Sequence, residues 1–110
     1  MTRVVAFVSD LMDRSRLSGS GLDVVFASDL DAARASAAVA PVDAVVVDLA
    51  RHASDLVAVR AAFPDAYLVG FGPHIDLEGA DDARTAGVDT VLPRSRFFRD
   101  PVAAVTPEPT

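Results

Sequence analysis

Five short apolar runs are spread along the chain of 110 residues. Each run is continuous rather than alternating and is rich in β-branched side chains, a pattern typical of strands that are covered on both faces. Polar segments separate the runs, so we predict five buried strands. They cover residues 4–8, 24–27, 44–47, 67–69 and 88–92.

Segments with helical spacing lie between the predicted strands. Ser28 followed by Asp31 resembles a capping box, with Asp in place of the usual Glu, and indicates where the clearest helix begins. Pro64 ends a second helix, and Gly87 is suited to the left-handed position that follows a third. The three predicted helices cover residues 30–39, 55–63 and 77–86.

The alternation of strands and helices predicts parallel βαβ units with right-handed crossovers. We therefore expect one α/β domain over residues 1–105, a flavodoxin-like, doubly wound sandwich of three layers around a five-stranded parallel sheet. Its first helix, over residues 11–18, and its last, over residues 101–105, are both predicted to be short. Residues 106–110 contain two prolines and are predicted to form a disordered C-terminal tail.

Sixteen acidic and ten basic side chains give the chain a formal net charge of −6. A surface of this sign repels the phosphate backbone of nucleic acids, so we expect no nucleic-acid partner. All ten basic residues are arginine and cysteine is absent, which excludes lysine amines and thiols as reacting groups. No apolar run approaches the ~18 residues of a membrane span, and we expect a soluble, cytoplasmic protein that does not bind membranes.

Candidate chemistry gathers where the predicted strands end, because ligands of open parallel sheets bind outside the carboxyl ends of the strands. Asp10 follows the first strand, Asp48 follows the third, and Arg94 follows the fifth. Combined with these residues, three segments resemble the receiver domain of two-component response regulators, and the resemblance spans about residues 3–105. The segments are residues 43–48, Gly72-Pro73-His74 and residues 86–92.

The resemblance implies a sheet of order 2-1-3-4-5 and phosphoryl transfer to an aspartate at the end of the third strand, which here is Asp48. It implies an Mg²⁺ ion held by two acids after the first strand, where this chain has Ser9 and Asp10. Asp10 and Asp48 are therefore the candidate ligands of a weak Mg²⁺ site. Gly72 stands where the family has a hydroxyl residue and Arg94 where it has a lysine, and both are candidate phosphate contacts.

These replacements weaken the chemistry of the family, since phosphoryl transfer depends on positioned cations and a metal ion. An arginine fork does not reproduce the point charge of a lysine amine. Val91 also replaces the aromatic residue through which the family passes its signal. The sequence thus predicts a stand-alone, atypical pseudo-receiver, a regulatory protein-interaction module and not an enzyme, with a separate output protein as partner. The alternative is a genuine receiver that a histidine kinase phosphorylates at Asp48 with Mg²⁺.

Two other interpretations of the same residues remain open. Asp48 and Arg94 are suited to form a buried or half-buried ion pair with no role in signalling, because a guanidinium relieves the repulsion between neighbouring carboxylates. His52 and His74, on neighbouring loops, would complete a site for Zn²⁺ or another divalent ion with Asp10 and Asp48. Histidines in loops are otherwise exposed to solvent and unused.

Phe97 and Phe98 form an aromatic pair after the fifth strand. The pair either closes the core or docks a partner. Because the last helix is predicted to be vestigial, we expect the edge of the fifth strand to be poorly covered. We therefore predict a homodimer, or a larger protein partner, at this edge.

Overall fold

The computed structural model of the chain describes residues 2–72 and 77–107. The predicted strands and helices are present, with ends that differ from the predicted ones by a few residues. In chain order the elements are β1 (Arg3–Phe7), α1 (Leu11–Ser18), β2 (Asp23–Phe26), α2 (Leu30–Val39), β3 (Ala44–Asp48), α3 (Leu49–His52), a 3₁₀ turn (Ala53–Asp55), α4 (Leu56–Ala62), β4 (Tyr67–Gly72), α5 (Leu77–Thr85), β5 (Thr90–Pro93), α6 (Arg94–Arg99) and α7 (Pro101–Ala104).

The five strands form one parallel sheet of order β2-β1-β3-β4-β5, which confirms the predicted order. At its centre Val5 of β1 lies opposite Val25 of β2 and Val45 of β3. Since all the strands run in the same direction, their last residues lie along one side of the sheet, which we call the carboxyl edge. The opposite side, where the strands begin, is the amino edge.

Helices cover both faces of the sheet and complete the flavodoxin-like, three-layer arrangement. Side chains alternate between the faces along each strand, so that Val45 belongs to one core and Val46 to the other. Val59 of α4 packs into the core of the first face. Leu17 of α1 and Phe97 of α6 are completely buried in the core of the second. The continuous apolar strands of the sequence follow from this burial on both faces.

Aspartates begin several of the helices. In each case a carboxylate oxygen accepts a hydrogen bond from a backbone N–H of the first turn, which a helix cannot satisfy internally. The α2 cap is Asp29, whose Oδ1 lies 2.8 Å from the backbone nitrogen of Ala32, and not Ser28 as the capping-box pattern predicted. These capping residues are Asp10 for α1, Asp29 for α2, Asp48 for α3 and Asp100 for α7.

The C-terminal region differs from its prediction. We expected one vestigial helix over residues 101–105, but α6 precedes it, and α7 follows after a single residue. Asp100 is extended (φ −152°, ψ 83°), because the residue before a proline disfavours helical geometry, and Pro101 then starts α7. The sequence did not predict α6, because the helix begins with the polar residues Arg94-Ser95-Arg96 and Phe97 is its only fully buried side chain.

The predicted tail lies partly within the described residues. The Thr106 hydroxyl donates to the backbone carbonyl of Val102 at 2.6 Å, which attaches this residue to α7. Residues 108–110 lie outside the described part. Among the described helices, none has the length and apolar character needed to cross a membrane.

Candidate functional site

Three aspartates and one arginine share the carboxyl edge of the sheet. Asp48 is the last residue of β3 and lies opposite Phe71 of β4. Asp10 follows the neighbouring strand β1, and Arg94 follows β5 directly. Asp13, in the first turn of α1, is the fourth member. The strand order thus brings together residues from both ends of the sequence.

Asp48 is buried, with 6% of its surface exposed. Its Oδ1 accepts a hydrogen bond from the backbone N–H of Ala50 at 3.0 Å, which fixes the carboxylate at the start of α3. Among the described residues, no hydrogen bond to the other oxygen of Asp48 is found. This second oxygen is the one available to react or to bind a ligand.

Asp10 is exposed at the start of α1. Its Oδ1 accepts hydrogen bonds from the backbone N–H groups of Met12 and Asp13, at 3.0 and 3.1 Å. One oxygen of Asp10 is therefore used to cap a helix, as in Asp48. The two acids that the resemblance assigns to Mg²⁺ each bring a single uncommitted oxygen to the carboxyl edge.

Arg94 binds Asp13 and not Asp48. Two nitrogens of the guanidinium donate to the two carboxylate oxygens of Asp13, in the bidentate geometry that arginine favours. The expected ion pair between Arg94 and Asp48 is therefore wrong. The reason is that Asp13 lies on the face of α1 that packs on the sheet, which places its carboxylate within hydrogen-bonding distance of the guanidinium.

The charges of the other two acids also act on the Arg94 guanidinium. Hydrogen bonding to Asp13 raises the pKa of Arg94, partial burial of the guanidinium lowers it, and the charges of Asp13, Asp10 and Asp48 raise it further. Arg94 consequently stays protonated at any pH at which the protein folds. Three acids thus lie around the one guanidinium of Arg94.

Asp13 was missed by the sequence analysis. It is completely buried, and of the charged side chains that the structure describes only Asp48 is also classed as buried. The available signal was its spacing from Leu17, the buried apolar anchor of the same helix. Residues four apart share one helix face, so Asp13 had to face the core, where a carboxylate requires a partner.

Aromatic rings pack beside the arginine. Phe97 is completely buried and stacks on Phe71, with ring centroids 4.9 Å apart. Phe98 is half-buried, contacts both rings edge-on, and lies under the Arg94 guanidinium, 5.1 Å from the ring centroid. Phe97 therefore closes the core, and its predicted role in docking is wrong because the ring is inaccessible. Arg16 of α1 covers Phe98 from 5.6 Å.

Gly72 ends β4 beside Pro93 and supplies no side chain to the site. The residue in register with Asp48 is Phe71, which belongs to the core of the second face. Thus neither position offers a hydroxyl to a phosphoryl group. Val91 of β5 is buried in the core of the first face.

The described residues do not form a strong metal site. Within residues 2–72 and 77–107, no group of three or more His, Cys, Asp and Glu side chains has an arrangement that could hold a metal ion. His52 lies 3.3 Å from a carboxylate oxygen of Asp55 and packs against Phe7, and His74 lies outside the described residues. Mg²⁺ prefers several oxygen ligands. Asp10 and Asp48 offer one free oxygen each next to a guanidinium, so the donor set does not fit tight Mg²⁺ binding.

No protein-family model matches the sequence, and no curated protein matches it. Solved structures do match. A Burkholderia pseudomallei response regulator with a phosphorylated aspartic acid, calcium ion and citrate has a TM-score of 0.72 and 20% identity, covering 96% of this chain and 66% of that one. A LuxR family DNA-binding response regulator from Silicibacter pomeroyi has a TM-score of 0.67 and 25% identity, covering 86% and 80%.

A third match is an atypical orphan response regulator with a phosphorylation-independent regulatory mechanism. Its TM-score is 0.69 at 14% identity, covering 96% of this chain and 92% of that one. All of these proteins are response regulators. This chain therefore has the fold of response-regulator receiver domains.

Proposed function

We propose that this chain is a pseudo-receiver, a regulatory module that acts by binding other proteins and not by catalysis. It would control its partner without depending on phosphorylation of Asp48. The observation that carries this proposal is the bidentate pair between Arg94 and Asp13. The cation that resembles the family's lysine is bound to an acid of the protein itself.

The losses at β4 and β5 support the same proposal. A receiver of the resembling family needs a hydroxyl near the phosphoryl group and a mobile aromatic side chain on its fifth strand. Here Phe71 and Gly72 end β4, and Val91 is buried among apolar side chains. Modification of Asp48 would therefore lack the hydroxyl and the aromatic side chain that the family uses to pass on its signal. The atypical orphan regulator with the same fold is a precedent for control without phosphorylation.

A specific observation favours the alternative, a genuine receiver phosphorylated at Asp48. One oxygen of Asp48 accepts no hydrogen bond from the described residues, so it is free of competing donors there, as a phosphoacceptor requires. The Burkholderia pseudomallei regulator of the same fold has a phosphorylated aspartic acid. Under this alternative a histidine kinase is the partner, and Asp10 and Asp48 hold Mg²⁺ weakly.

We propose a protein as the binding partner of the pseudo-receiver, at the edge of β5. Half-buried Leu92 lines a groove at this edge together with exposed Arg96 and Arg99 of α6. Homodimerisation and a separate output protein both fit such an edge. A domain of this kind would work in the cytoplasm. The oligomeric state is measurable by light scattering over a range of concentrations.

Phosphotransfer to the intact chain tests the proposal. The wild-type protein and Asp48→Asn are incubated with acetyl phosphate and Mg²⁺, and their intact masses are measured at intervals. Asn keeps the size and capping ability of Asp48 but offers no carboxylate, so it is a matched control. We expect no phosphoryl adduct on either protein. An adduct on the wild type that is absent from Asp48→Asn would establish the alternative.

A further inference from the structure

Two contacts join α1 to α6 across the carboxyl edge. The first is the pair between Asp13 and Arg94, which connects residues 81 positions apart in the sequence. The second is Arg16 of α1, which lies over the Phe98 ring of α6 at 5.6 Å. We call these four residues the α1–α6 clasp. They lie on the sheet face whose core contains Leu17 and Phe97.

The burial of its residues shows that the Asp13–Arg94 pair is the stronger of the two contacts of the clasp. Asp13 is completely buried, whereas 37% of the Arg94 side chain is exposed. A carboxylate without water needs its ionic partner, because an unpaired buried charge is strongly unfavourable. Arg94 is the first residue of α6. Its ion pair with the buried carboxylate of Asp13 therefore holds the start of this helix next to α1.

The neighbours of Arg94 restrict it further. Its guanidinium lies 5.1 Å from the centroid of Phe98 and 5.9 Å from that of Phe71. Cation–π contacts of this kind are directional and favour one position of the arginine over the rings. Asp10 and Asp48 act on the guanidinium only through their charge, and neither accepts a hydrogen bond from it.

We propose that Asp13 is a positioning residue, and that the α1–α6 clasp holds α6 in one place whatever the state of Asp48. This inference rests on the proposed function and explains it physically. A signal at Asp48 would have to break the clasp before α6 could move. Conversely, a partner that opens the clasp changes the groove of about 590 Å³ at the edge of β5, which α6 and α7 line.

Hydrogen exchange of the full-length chain tests the clasp. We expect Asp13→Asn to increase exchange in residues 94–105 about tenfold, while exchange in β1 and β3 stays as in the wild type. Asp48→Asn and Arg96→Met, which change an acid of the same edge and an exposed arginine of the same helix, serve as controls. Both are expected to exchange like the wild type.

Three results would overturn the inference. They are wild-type exchange in Asp13→Asn, an equal increase in every element, and an increase in α6 of Asp48→Asn as large as that of Asp13→Asn. If Asp13→Asn does not fold, Arg94→Lys keeps the charge and loses the bidentate fork. This variant is then expected to exchange faster in residues 94–105 alone, and unchanged or general exchange would count against the clasp.

Experiments can disprove the role of the clasp and the proposed function separately. Phosphorylation of wild-type Asp48 disproves the pseudo-receiver, whether or not α6 is held by Asp13. Unchanged exchange in Asp13→Asn, in a protein that acetyl phosphate does not modify, disproves the clasp alone.

Discussion

Two arginines lie at opposite edges of the sheet, and their partners differ. Arg60 of α4, at the amino edge, donates to four backbone carbonyls and to the carboxylate of Asp89. Arg94, at the carboxyl edge, donates to one buried carboxylate and lies in the field of two more acids. The same guanidinium group therefore works in two different electrostatic settings.

The difference lies in the charge that surrounds each guanidinium. Carbonyl oxygens carry no net charge, and the four that accept from Arg60 belong to the loops before β4 and β5, so this arginine closes those loops. The acids around Arg94 outnumber it, and the negative charge in excess can respond to a cation or a partner. The amino edge accounts for stability, and the carboxyl edge is where function is expected.

The largest expected effect comes from removing the arginine of the amino edge. Arg60→Met should lower the free energy of unfolding by about 4 kcal/mol, because several carbonyl acceptors lose a charged donor together. Urea unfolding followed by circular dichroism measures the change. Arg34→Met is the control, since Arg34 is exposed and 3.9 Å from Asp31. If Arg60→Met lowers the free energy of unfolding less than Arg94→Met does, the amino edge does not contribute more to stability than the carboxyl edge.

The arginine of the carboxyl edge should come second. Arg94→Met leaves Asp13 buried without its partner, which we expect to cost about 3 kcal/mol, toward the low end for buried pairs because solvent screens the exposed part of Arg94. The same urea experiment measures it, with Arg96→Met as the exposed control in the same helix. A loss no greater than that of the control would show that Asp13 finds another partner.

A smaller effect is expected where Arg60 meets the glycine that follows α5. Gly87 has φ +113°, and a Cβ atom there would lie 2.6 Å from Cγ of Arg60. Gly87→Ala should therefore destabilise the protein by about 2 kcal/mol, through backbone strain and the displaced arginine. Thermal unfolding compares it with Gly19→Ala, whose nearest new contact is 3.5 Å. Equal melting temperatures for the two variants would contradict this view of the amino edge.

The sheet could be predicted from the sequence because its signal is local. Continuous runs such as residues 44–47 are buried on both faces, and the helices between them carry recognisable ends. Gly87, for example, has the positive φ that its position after a helix predicted. The resemblance then supplied the strand order, which periodicity alone does not contain.

The candidate site was only partly predictable. Asp10, Asp48 and Arg94 reach one edge as expected, because parallel strands end together. The pairing of Arg94 was missed, since its choice among three acids depends on how far α1 packs over the sheet. Asp13 lies between exposed Met12 and half-buried Arg14, and only its spacing from Leu17 reveals that it is buried.

The prediction for the C-terminal region was wrong for a related reason. Six residues from Arg94 to Arg99 carry three arginines, and such polarity indicates a loop. The helix forms because Phe97 inserts beside Phe71, a contact between distant segments that no local pattern contains. Burial of one aromatic ring here outweighs the exposure of the arginines on the other face.

The central claim is that the guanidinium of Arg94 belongs to Asp13 and not to Asp48, and two double-mutant cycles test it most directly. One combines Arg94→Met with Asp13→Asn and the other combines Arg94→Met with Asp48→Asn, with free energies of unfolding measured in urea. The account predicts a coupling energy of about 2 kcal/mol for Asp13 and no more than about 0.5 kcal/mol for Asp48. A larger coupling of Arg94 to Asp48 than to Asp13 would contradict it.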